Sequence, residues 1–67
     1  MTGRADIVLA DRRGIFAAEH CEISGNLIHA EGRWRTRTGA NYATITYSEP
    51  RRYTWPLRSI KEVRWAA

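Results

Sequence analysis

Apolar and polar residues trade places at period two through most of this chain, and no stretch sustains the three-to-four spacing of an amphipathic helix. Turn-forming residues interrupt the alternation about every eight to twelve residues, the rhythm of many short strands. The pattern predicts strands over Ala5–Ala10, Ile15–Ser24, Leu27 to about Arg37, Tyr42–Ser48, Arg52–Leu57 and about Lys61–Trp65. Asp11–Gly14, Thr38–Asn41 and Glu49-Pro50-Arg51 read as loops or turns, and Gly25-Asn26 as a two-residue hairpin turn. Pro56 lacks an amide donor and belongs at a strand end or an edge. The expected fold is all-β, five to six short antiparallel strands in a small barrel or a strongly bent sheet. All of it fits in one domain spanning residues 1–67.

Registers follow from the turns. A Gly25-Asn26 loop sets Ile23 opposite Ile28, Cys21 opposite Ala30 and Ala17 opposite Trp34, all on one small apolar face. Glu19 falls opposite Gly32 on that face, which predicts a bend that releases Glu19 to solvent. In a second hairpin, Ile45 faces Trp55, Tyr47 faces Tyr53 and Ala43 faces Leu57. The Asp11–Gly14 turn sets Leu9 opposite Phe16 and Ile7 opposite Ala18. By simple alternation those four residues lie on the face away from Cys21 and Ile23. The sheet then has two apolar faces at one end. Either it curls to cover both, or Ile7, Leu9 and Phe16 meet a partner.

Leu57, Ile60 and Val63 stand three apart within Tyr53-Thr-Trp-Pro-Leu-Arg-Ser-Ile-Lys-Glu-Val-Arg-Trp65. This strand–turn–strand segment resembles the closing strands of SH3-like small barrels, where a 3₁₀ turn joins the last two strands. The resemblance covers the C-terminal fifth and implies a fold, which does not fix a function. The aromatic and acidic loop pattern of signalling SH3 domains does not occur. In style the chain is also similar to uncharacterised small proteins of actinobacterial phages.

Charge changes the picture next. Eleven Lys and Arg stand against seven acids in 67 residues, for a net charge of +4, and ten of the eleven bases are Arg. Such a balance attracts polyanions. The arginine excess has two readings, the codon bias of a GC-rich genome and selection for guanidinium chemistry. One cysteine, Cys21, provides no internal disulfide. The N-terminal residues lack the apolar core of a signal peptide, and no apolar run approaches the roughly 20 residues of a membrane span. A cytoplasmic protein without membrane association is expected.

Candidate chemistry is sparse. His20 opposite Glu31 and His29 opposite Glu22 make two cross-strand pairs, short of the three or four convergent ligands of a zinc site. Cys21 points into the core, and no glycine-rich phosphate loop occurs. No enzyme, metal or cofactor is expected. Arg33, Arg35 and Arg37 alternate along the third strand as one row, with Phe16 opposite Arg35 and with Arg12, Arg13, Arg51 and Arg52 in neighbouring loops. Such a row can hold phosphates and stack on bases, or it can be a solvated face whose stems cover apolar surface. Two functions remain. One is a non-enzymatic nucleic-acid-binding module using these arginines. The other is an inhibitor or adaptor encoded by a phage or mobile element, binding a host protein through Ile7, Leu9, Phe16 and the same arginines, as a monomer or an oligomer.

Overall fold

The computed structural model describes residues 2–12 and 14–66. Six strands form one antiparallel sheet: β1 (Thr2–Leu9), β2 (Ile15–Ser24), β3 (Leu27–Thr38), β4 (Thr44–Tyr47), β5 (Arg51–Pro56) and β6 (Ile60–Trp65). No α-helix occurs among the described residues. The sheet is not closed into a barrel, since no ladder joins its edge strands β5 and β6 among the described residues, and it is compatible with a bent sheet. The 3₁₀ turn Leu57–Ser59 carries the chain from one edge to the other. That turn is held where the Leu57 amide donates to the Asn26 carbonyl and the Ala10 amide donates to the Ser59 carbonyl.

β3 organises the sheet. Its 12 residues span about 40 Å at strand rise, which matches the 41 Å long axis of the molecule. β2 pairs one side of it, while β4 and β5 pair the other side in succession. The Gly25-Asn26 turn is as expected, with Gly25 at φ 61° in the first central position. Ile23 pairs with Ile28 and Cys21 with Ala30, also as expected.

Beyond that point the expected registers fail, for one recurring reason. Ala18 pairs with Gly32 and His20 with Glu31, so Glu19 is an extra residue bulged from β2. The ladder to β1 shifts at the same place, with Gly3 opposite Cys21 and Ala5 opposite Ala18. The bulge moves Phe16 opposite Trp34, and Ala17 opposite Arg33 rather than Trp34. On the other side, Ile7 pairs with Phe16 and Ala5 with Ala18, two residues from the expected register.

A bulge also reverses the alternation. Phe16 and Ala18 therefore share a face with Cys21, and the two expected apolar faces are one. Ile7 and Phe16 are fully buried and Leu9 is 4% exposed, so these three residues are core and not an interaction surface. Two more bulges act the same way. Val8 pairs with Glu62 but Leu9 with Ile60, so Lys61 is skipped and both Ile60 and Val63 reach the core. Arg35 pairs with Tyr47 and Gly32 with Arg51, with Ser48 bonded to Trp34 between them. Glu49 and Pro50 thus stand against Arg33 alone. The expected turn at Glu49–Arg51 is a bulge in one long edge strand, a position that suits a proline. It turns Tyr47 outward and Tyr53 inward, and because β4 and β5 lie in succession against β3 and not against each other, the expected Tyr47–Tyr53, Ile45–Trp55 and Ala43–Leu57 pairs do not form.

Phe16 sits at the centre of the core. The rings of Trp34, Tyr53 and Trp55 meet it edge-on, with centroids 5.2, 5.3 and 5.5 Å away. Tyr53 stacks on Trp55 at 4.8 Å, and the Trp34 indole N–H donates to the Tyr53 hydroxyl at 3.0 Å. Such pairs add about 0.5–1.5 kcal/mol each beyond the area they bury. In a chain this short, a concentrated aromatic core offsets the small buried fraction.

Gly32 makes the β2 bulge possible. A β-carbon there would lie 2.1 Å from the Ala17 carbonyl oxygen and 2.7 Å from the Ala18 Cα, both backbone. We expect Gly32→Ala to destabilise the fold by about 3 kcal/mol, lowering the melting midpoint by roughly 10–20 °C. Gly25→Ala, where nothing lies within 4 Å, should cost only about 1–2 kcal/mol of backbone strain. A Gly32→Ala protein melting with the wild type would contradict the close approach.

Candidate nucleic-acid interface

Along β3 the even positions Ile28, Ala30, Gly32 and Trp34 face the core, and the odd positions face away from it. Arg33, Arg35 and Arg37 therefore form the expected row on the outer face. The aromatic residue beside it is not Phe16, which is buried, but Tyr47, which pairs with Arg35 and is 57% exposed. Arg37 pairs with Ile45. Thr36–Thr38 and Thr44–Thr46 run past the end of β2, whose first pair is Ile15 with Arg35, and so project as a two-stranded ribbon. A bond between the Thr36 and Thr46 hydroxyls, 2.8 Å, ties the ribbon's other face.

Registers place the neighbours of the row. Arg33 lies opposite Ala17, Ala17 opposite Asp6, and Asp6 opposite Arg64. Arg35 reaches across β2, and its Nη2 donates to Asp6 Oδ2 at 3.1 Å. Both side chains are about one-third exposed, so salt screens this pair less than it screens a surface pair. Arg35 is thereby fixed in place with its charge partly offset. Arg33 and Arg37 make no ion pair among the described residues and keep their full charge.

The small side chain of Ala17 leaves a depression of about 620 Å³ on the outer face, walled by Arg4, Arg33, Arg35, Tyr47 and Arg64. A second, of about 550 Å³, lies on the other flank of Arg33 beside Arg51 and Arg52. Arg52 Nε is 2.9 Å from Glu31 Oε1, an exposed pair of little energetic value. Arg33, Arg35, Arg37 and Arg52 thus lie on the outer face, while Arg51 pairs with core-facing Gly32 and reaches only the second depression. Arg12 does not join them: its guanidinium carbon lies 4.7 Å from the Trp34 ring centroid, on the core side. Arg13 lies outside the described residues.

Sequence reasoning missed Arg4, Arg64 and Tyr47. Arg4 precedes the expected start of β1, and simple alternation put Tyr47 on an apolar face. Arg64 Nε donates to Glu62 Oε2 at 2.6 Å, and this bond holds the Glu62 carboxyl below its ordinary range. The cross-strand pairs His20–Glu31 and His29–Glu22 form in the expected register, and His29 Nδ1 lies 2.9 Å from the Thr54 hydroxyl. No group of three or more His, Cys, Asp or Glu side chains is placed to hold a metal ion among the described residues. Among the described residues no helix is long and apolar enough to cross a membrane.

Comparison with protein-family models, curated proteins and solved structures gives no match for this chain.

Cys21 is fully buried beside Ala30, and burial pushes its thiol pKa up. A thiol is inert in such a place. An aromatic disulfide reagent should label native Cys21 only as fast as the protein unfolds. Labelling at the rate of a free thiol would contradict this placement.

Proposed function

We propose that this protein is a non-enzymatic nucleic-acid-binding β module acting in the cytoplasm. The observation that carries the reading is the Arg33, Arg35, Arg37 row on the outer face, with exposed Tyr47 beside it. Guanidinium forks suit phosphate oxygens, and a tyrosine ring gives a base a stacking platform. The core-facing side of the sheet is apolar, which leaves recognition of a polyanion to this face. For the fold, the order β5–β3–β2–β1–β6 and the 3₁₀ turn between β5 and β6 support an SH3-like arrangement left open at its edges.

One observation favours a protein partner instead. Tyr42, Ile45 and Tyr47 are 68, 44 and 57% exposed near the free edge of β4. An unpaired edge with apolar side chains can add a strand from another chain. An adaptor or inhibitor of phage or mobile-element origin, or a homo-oligomer, would use this edge, since Ile7, Leu9 and Phe16 are buried.

Salt separates the two. Titration with mixed-sequence DNA and RNA should show tight binding at low salt, with log K falling linearly in log salt concentration as counterions are released. Arg33→Ala and Arg37→Ala should each lower the slope by about 1, and Arg12→Ala should leave it unchanged. Absence of binding to either polymer at low salt would overturn the nucleic-acid reading.

A further inference from the structure

The row alone would suit any phosphate backbone. The ground it stands on is more selective. Ala17, between Asp6 and Arg33, is the small residue over which the depression of about 620 Å³ opens. Four arginines line it, Arg4, Arg33, Arg35 and Arg64, against the two acidic residues Asp6 and Glu19. Asp6 holds Arg35, and Glu62 holds Arg64. Arg4 and Arg33 make no ion pair among the described residues and are free to bind an anion. Tyr47 forms part of the same wall.

These features separate single strands from duplexes. A duplex keeps its bases stacked inside and offers a convex surface of phosphates, so it would use the free arginines but not Tyr47 or the concavity. A single strand can lower one phosphate into the depression and turn its unstacked base onto the tyrosine ring. The projecting ribbon is poorly made for a duplex groove. Beyond Arg35 it carries one base, Arg37, among Thr36, Thr38, Thr44 and Thr46. The charge is concentrated over the sheet and not at the tip.

We propose that the depression over Ala17 seats one phosphate-and-base unit of a single-stranded nucleic acid. The phosphate lies between Arg33 and Arg4 and the base on Tyr47, with Asp6 as the positioning residue for Arg35. This rests on the nucleic-acid reading and narrows it to single strands.

Fluorescence anisotropy at low salt tests it with labelled oligothymidylate and oligouridylate, against a DNA duplex carrying the same number of phosphates. The single strands should bind at least about tenfold more tightly. Tyr47→Ala should weaken single-strand binding about tenfold and leave duplex binding unchanged, while Tyr47→Phe retains it. Tyr47 is exposed, so both variants should melt with the wild type. Equal affinity for duplex and single strand, or Tyr47→Ala without effect, would overturn this inference and leave the nucleic-acid reading standing. No binding of any of these probes would overturn both.

Discussion

At Gly32 the backbone of β3 lies against the backbone of β2 so closely that a β-carbon would sit 2.1 Å from the Ala17 carbonyl oxygen. That approach lets Glu19 leave both of its ladders, and the loss of one residue from the count turns the N-terminal half of β2 over. Without the turn, Phe16 and Ala18 would point away from Cys21. The core would lose its central ring, and a large apolar patch would stand in water. Every later feature depends on this phase change. Phe16 gathers Trp34, Tyr53 and Trp55 around it only because it faces inward.

The bulges at Lys61 and at Glu49-Pro50 extend the same solution to the two edges of the sheet. Together the three collect the apolar side chains on one side of a bent sheet. The outer face is then free to carry Arg33, Arg35, Arg64 and Tyr47 around the small side chain of Ala17. The core and the candidate interface are thus two faces of one decision about side-chain phase. Ala17 takes part in both. Its carbonyl sets the limit on Gly32, and the residue lines the depression.

Much of this was legible in the residues. Period-two alternation and turn chemistry located all six strands, and the Gly25-Asn26 turn fixed the register as far as His20. The Glu19–Gly32 mismatch marked the bulge, since a carboxylate on a core face has to be released. Its consequence for Phe16 was missed, because alternation was carried past the bulge unchanged. The three-residue spacing of Ile60 and Val63 held the same information about Lys61. Pro50 misled for a physical reason, since a proline that sets a turn equally suits a bulge on an edge strand. The arginine row followed from alternation alone. Arg4, Arg64 and Tyr47 did not, because their placement depends on bulges and on pairing across three strands.

The central claim is that recognition belongs to the outer face and leaves the aromatic core untouched. Two-dimensional amide NMR during titration with a single-stranded oligonucleotide tests it most directly. The account predicts shifts at Arg4, Asp6, Ala17, Arg33, Arg35, Tyr47 and Arg64, with the Trp34 indole N–H, bonded to Tyr53, unmoved. Shifts confined to the Trp34 indole and to the loop that carries Arg12 would place binding on the core side and contradict it.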